Sequence, residues 1–264
     1  MLDLININKT FFLGTPNENQ ALCQINLHLS EGDFVSVIGS NGAGKSTLLN
    51  IIAGVHFPDS GKVLIDGLDV TSMPEYKRAA FLGRVFQDPM MGTAADMGID
   101  ENLALAARRG QKRGLSWGIL RDEREAYQTL LKEFDLGLEG RISTKVGLLS
   151  GGQRQALTLL MATIQKPRIL LLDEHTAALD PKTGAKVLKM TQDLIEEHHL
   201  TTLMITHNMR EAIQQGNRLI MMHEGRIILD IDGDEKKKLT VEDLLHQFER
   251  ASGSFLDNDR LLLS

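Results

Sequence analysis

The first 70 residues alternate apolar and polar positions in short runs. "LDLINI", "ALCQINLHL" and "KVLID" repeat with a period of two or are rich in β-branched residues, with "SEGD" and "PDSG" as turns between them. "DFVSVI" (33–38) differs: it is almost wholly apolar and predicts a strand buried on both faces. After about residue 95 the apolar spacing lengthens to three and four, so "DENLALAARR" and "EREAYQTLLKEF" predict helices. From Gly151 to Gly216 helix and buried strand alternate through "QRQALTLLMATIQ", "ILLL", "KTGAKVLKMTQDLIEEH", "TTLMIT" and "NMREAIQQ". That order predicts a parallel α/β sheet covered by helices. Near the end, "LTVEDLLHQFE" predicts a short helix started by Thr240, with Leu244, Leu245 and Phe248 on one face that is expected to pack on the domain, a regulatory or dimer contact being the alternative.

With 264 residues, 42% of them hydrophobic, the chain has enough apolar material for one compact domain with subdomains. No run approaches the roughly 20 apolar residues of a membrane span, and "MLDLININK" has neither region of a secretion signal, so a cytoplasmic location is expected. The single cysteine, Cys23, excludes an internal disulfide and is expected to pack in a strand. A net charge of −6 argues against general nucleic-acid binding. The basic stretch "RRGQKRG" (108–114) is a local exception, expected to be a solvated loop, with anionic headgroups as the alternative. His198 and His199 are adjacent, point apart on a helix and make a poor metal pair.

Chemistry enters at residues 39–47. "GSNGAGKST" follows the strand "DFVSVI" directly and opens the helical run "TLLNIIA", which stops at Gly54. The spacing is that of a phosphate loop in its proper strand-to-helix context. Gly39, Gly42 and Gly44 free the backbone to turn its N–H groups inward, and Ser40, Asn41, Ala43 and Thr47 complete the cradle. Lys45 supplies a point charge to the terminal phosphates, and Ser46 suits Mg²⁺. In a parallel sheet "ILLL" delivers Asp173 and Glu174 to the same edge. Two acids beside a triphosphate need a metal and a water between them. Asp173 therefore suits the Mg²⁺ side, and Glu174 the water that attacks the γ-phosphate.

With these two motifs in place, "LSGGQ" (149–153) resembles the signature of an ATP-binding cassette (ABC) protein, and the similarity covers about residues 1–230. The resemblance implies an α/β fold: a P-loop NTPase (RecA-like) core, an antiparallel β subdomain and an α-helical signature subdomain at about 88–160. Residues 231–264 would form a C-terminal helical tail. It also implies a head-to-tail homodimer, in which ATP and Mg²⁺ on one phosphate loop are closed over by Ser150, Gly151, Gly152 and Gln153 of the other copy. A helix N-terminus with a hydroxyl and small residues suits that task. By the same resemblance, Gln87 contacts Mg²⁺ and senses a membrane partner, Asp180 communicates across the dimer, and His207 contacts the γ-phosphate. Phe11 stacks on adenine, with Phe12 as the alternative and a core role for either as another.

One position departs from the family pattern. His175 stands where most members carry proline, and it is expected to be a tolerated substitution on a surface turn, with pH sensitivity or a partner contact as alternatives.

The resemblance implies the energy-coupling ATPase of a membrane transporter. With no span in the chain, it points to separate transmembrane permease subunits and an extracytoplasmic solute-binding protein, as in bacterial importers. The cassette would then sit peripherally on the inner face of the membrane. "LLSGGQRQALTLLMAT" and "LLLDEHTAALDPKT" are similar to cassettes of amino-acid importers, aromatic ones included. A non-transport cassette ATPase of the cell-division or signalling type stays open. Translation-type tandem cassettes and repair-type coiled coils do not match this pattern. A GTPase needs N-K-x-D, and "NKTF" (8–11) lacks the aspartate.

Overall fold

A computed structural model of the protein describes residues 1–111, 118–134 and 137–252. Strands β1 (Leu2–Phe11), β2 (Asn19–Leu29), β4 (Ser60–Ile65) and β5 (Leu68–Asp69) form an antiparallel sheet in the order β2-β1-β4-β5. A second sheet contains β3 (Phe34–Gly39), β6 (Leu82–Val85), β7 (Ile169–Asp173), β8 (Thr201–Ile205), β9 (Arg218–His223) and β10 (Arg226–Asp232). Its order is β10-β9-β3-β8-β7-β6, and every pairing is parallel except that of β9 with β10.

The helices are α1 (Lys45–Ala53), α2 (Glu75–Arg78), α3 (Ile99–Ala107), α4 (Arg121–Glu133), α5 (Gly151–Thr163), α6 (Pro181–His198), α7 (Met209–Gln214), α8 (Gly233–Lys238) and α9 (Val241–Ser252). Among the described residues no helix is long and apolar enough to cross a membrane.

The apolar runs of the central sheet have a simple cause. Ile169 and Leu171 of β7 pack with α1 and the antiparallel sheet, whereas Leu170 and Leu172 pack on the opposite face with α5 and α6. Both faces are covered, so no polar alternation survives. Helices α3, α4 and α5 share a separate core that includes Leu103, Tyr127, Leu131 and Leu157. That cluster makes the helical subdomain a body with its own packing.

The carboxyl end of the described chain returns to the sheet. Thr240 Oγ1 accepts from the Asp243 N–H and Asp243 Oδ2 accepts from the Thr240 N–H, a reciprocal cap that starts α9. Leu244 and Phe248 are buried with Ile38, Met209 and Met221, and Leu245 packs beside them. Burying each such side chain stabilises the fold by about 1.5–3 kcal/mol. Lys236 of α8 is buried and donates to the carbonyls of Gln215 and Gly216 at the end of α7. Residues 253–264 of the expected tail lie outside the described residues.

Strands β5, β6, β9 and β10 go beyond the hydrophobic pattern, β5 being only two residues long. Strand β6 spans only "LGRV", too short for a period. Strands β9 and β10 flank Glu224 and Gly225, both at positive φ (45° and 73°), the conformation of a two-residue hairpin turn. The signal was present as "EG" between two apolar runs.

Candidate active site

The phosphate loop is shaped by close backbone approaches. Gly39 (φ 150°) passes so near β9 that an added Cβ would stand 2.2 Å from the Met222 carbonyl oxygen. At Gly44 (φ 98°) the same atom would meet the Ala21 carbonyl oxygen at 2.4 Å. Only glycine fits either place. Helix α1 then begins at Lys45, with its first N–H groups beside the exposed residues Asn41, Gly42 and Ser46. Ala43 is buried, and Ser40 and Thr47 are half-buried. The Lys45 ammonium is buried and donates to the carbonyls of Gly39 (2.7 Å) and Ser40 (3.0 Å). Burial lowers its pKa, and the charges of Glu174 and Asp173 oppose that shift.

Strand β7 brings those two acids to the same edge. Asp173 stands 3.5 Å from Arg84 Nη2, and its pKa is pushed up by burial, with Arg84 opposing and Glu174 adding to the rise. Glu174 sits at φ 47°, a left-handed conformation that costs a non-glycine residue about 1 kcal/mol or more. Its N–H donates to the Ile205 carbonyl of β8, which holds the turn in place. The bend aims the side chain, 11% exposed, so that Glu174 Oε1 is 2.5 Å from Nε2 of His207. Lys45, Asp173, Glu174 and His207 therefore converge where β3, β7 and β8 end.

The signature segment lies on the helical side. Ser150 caps α5: its Oγ accepts from the Gln153 N–H (3.3 Å), and Gln153 Oε1 accepts from the Ser150 N–H (3.2 Å). Ser150 and Gly151 are exposed. Gly152 has a packing reason as well, because a Cβ there would stand 2.1 Å from the Thr183 methyl group. Asp180 caps α6 by accepting from the Thr183 N–H at 3.1 Å, and its hydrogen bonds to Thr183 hold its pKa below the usual carboxylate range. Thr183 thus joins the signature to the Asp180 loop. Gln87 is exposed just after β6, and Gln155 of α5 donates to the carbonyl of the preceding residue, Phe86, at 3.1 Å.

Residues 22–177 match the family described as ABC transporter. A tyrosine transport ATP-binding protein of Clostridioides difficile (strain R20291) is 45% identical over 95% of this chain and 100% of its own length. The ABC transporter ATP-binding protein YxdL of Bacillus subtilis (strain 168) is 33% identical over 97% of this chain and 96% of its own. The chain belongs to the ABC transporter family. A solved dimeric ATP-binding cassette in a post-hydrolysis state, bound to ADP and Pi, superimposes with a TM-score of 0.75 at 32% identity, covering 88% of this chain and 98% of that one. The ABC cassette described here is accordingly an ATPase, with the P-loop NTPase core and the two subdomains of its family.

Within this ABC cassette His175 is not on a surface turn. It is 2% exposed, and its Nε2 is 3.0 Å from Thr191 Oγ1 of α6. The Thr191 hydroxyl donates to the Val187 carbonyl, so the imidazole is the donor to Thr191 and carries its proton on Nε2. Burial lowers its pKa from 6.5 to about 4. Between those values the unfolded chain binds a proton that the folded cassette does not. Stability from the neutral ring is therefore present above pH 6.5 and lost as pH falls towards 4, by roughly 3 kcal/mol in all. Urea midpoints at pH 7 and pH 4.5 are expected to differ less in His175→Gln than in wild type; an equal difference would remove His175 as the cause.

The adenine candidates divide. Phe11 is half-buried, edge-on to His56 at 5.3 Å, with the Lys9 ammonium 5.5 Å from its centroid. Phe12 is 69% exposed at φ 54°. Part of the basic stretch also turns inward, against the expectation of a solvated loop. Arg108 forms a two-pronged pair with Glu123 (2.7 and 2.8 Å), and Arg109 donates to the Ala162 carbonyl. Lys112, Arg113 and Gly114 lie outside the described residues.

Sequence reading missed two supporting groups. Glu211 accepts from Thr206 Oγ1 at 2.8 Å and is 3.5 Å from Thr176 Oγ1, so it braces the segments carrying His207 and Glu174. Arg84 is the other. Neither belongs to a motif, although Glu211 follows His207 by one helical turn.

Proposed function

We propose that two copies of this ABC cassette close head to tail around two ATP molecules and drive separate permease subunits that import an amino-acid-type substrate. The observation that carries the catalytic part is the 2.5 Å contact of Glu174 with His207 beside the buried Lys45. Lys45 and the N–H groups of residues 39–47 hold the phosphates, and Glu174 takes the proton of the attacking water. His207 orients Glu174 and reaches the γ-phosphate. Phe11 or Phe12 stacks on adenine.

The residues present fit Mg²⁺. Ser46, Gln87 and Asp173 offer only oxygen donors, and among the described residues no group of three His, Cys, Asp or Glu side chains could hold a metal. That suits a hard cation bound by one or two protein oxygens together with substrate phosphates. When bound, Mg²⁺ neutralises charge developing on the phosphate oxygens.

The dimer reading is supported by the exposure of Ser150 and Gly151 at the start of α5, where a helix N-terminus attracts an anion. Asp180, joined to that segment through Thr183, would report closure to the second copy. A permease helix has a place to dock. A cavity of 520 Å³ separates α2 and β6 from α3 and α5 and is lined by Phe86, the residue before Gln87, and by Met91, Leu105 and Met161. Tyr76 and Met91 are 72% and 70% exposed at its edge. Docking there would keep the cassette on the inner face of the membrane. The aromatic amino-acid class rests on likeness to the tyrosine transport relative, and a solute-binding protein outside the membrane would deliver the substrate. Affinity capture of Glu174→Gln with ATP from native membranes is the test. Recovery of a multi-span permease supports the transporter reading, and recovery of ribosomal, repair or division proteins alone sinks it.

A further inference from the structure

Arg84 lies on β6 next to β7, and its side chain joins three parts of the molecule. Its Nη2 donates to Asn50 Oδ1 of α1 at 2.8 Å and stands 3.5 Å from Asp173 Oδ2. The guanidinium lies 4.5 Å over the centroid of the Phe86 ring. The Arg84 and Asp173 side chains are 13% and 17% exposed, so water screens the pair only weakly. Asn50 and Phe86 together keep the guanidinium from swinging away.

Two effects compete at Asp173. A hydrogen bond from Arg84 would orient the carboxylate, but 3.5 Å is the outer limit for such a bond. The positive charge needs no alignment and acts fully at this distance. Charge therefore dominates. We propose that Arg84 is a positioning residue that holds a positive charge beside Asp173 and so weakens the grip of that acid on the divalent cation. This rests on the reading above that Asp173 serves the metal side. A cation held less tightly leaves more readily with the product nucleotide, so Arg84 favours turnover over retention.

The test uses the full chain with saturating ATP and Mn²⁺ as a paramagnetic probe, its binding followed by electron paramagnetic resonance. Arg84→Met, similar in length and uncharged, removes a positive charge that repels the cation and is expected to tighten Mn²⁺ by about tenfold, with nucleotide affinity measured in EDTA unchanged. Arg84→Lys keeps the charge and is expected to stay within about threefold of wild type. If Arg84→Met does not fold, Arg84→Gln retains a donor for Asn50 and is expected to show the same tightening. Unchanged or weaker Mn²⁺ binding in the neutral variants, with only a lower melting temperature, would overturn the proposal and leave Arg84 a packing residue. Wild type holding no more Mn²⁺ than free ATP does would instead overturn the metal reading itself, and this proposal with it.

Discussion

Glu174→Gln is expected to lower steady-state ATP hydrolysis by about 10²–10⁴-fold while leaving ATP affinity within a few-fold of wild type. The amide is nearly isosteric, so the bend at φ 47°, the N–H bond to Ile205 and contact with His207 can all persist. Only the ability to take a proton is lost. Phosphate release measured beside nucleotide binding separates the two effects, and size-exclusion chromatography with ATP should show a long-lived closed dimer. Wild-type turnover in this variant would remove Glu174 from the catalytic role.

Lys45→Ala acts earlier in the cycle. It deletes the buried ammonium that spans the loop between the Gly39 and Ser40 carbonyls, so a phosphate loses a charged donor and the loop loses its internal brace. A charged hydrogen bond of this kind contributes about 1.5–3 kcal/mol, which corresponds to roughly ten- to a hundredfold in ATP affinity. Titration with a fluorescent ATP analogue reads it directly. Affinity equal to wild type would contradict the phosphate role. Because Glu174→Gln spares binding and Lys45→Ala does not, the pair separates the chemical step from capture.

Legibility in the sequence followed the range of the interactions. Helix α1, its start after Gly44 and its left-handed end at Gly54 are written in contiguous residues, and so is the Ser150–Gln153 cap. Asp173 and Glu174 could be placed because a continuous apolar strand has one exit edge. His175 was misplaced because its burial depends on Thr191, 16 residues away on α6, which no local pattern reveals. Arg84 was missed for the same reason: its partners Asn50 and Asp173 lie 34 and 89 residues away in the chain. The resemblance to a family located the motifs and marked His175 as a departure, but it gave neither the burial of His175 nor the partners of Arg84.

The order of strands has a consequence for how far the chemistry tolerates change. Strand β8 separates β3, which ends in the phosphate loop, from β7, which ends in the two acids. Neighbouring strands keep about 4.7–4.9 Å between them, so the loop and the acids start roughly 10 Å apart, with the His207 segment issuing from the gap. Main-chain ladders act as the ruler here. Core side chains beneath the edge can be exchanged for others of similar volume without altering that interval, so mutational drift in the interior would wear on stability long before it shifted the reach from phosphate to water.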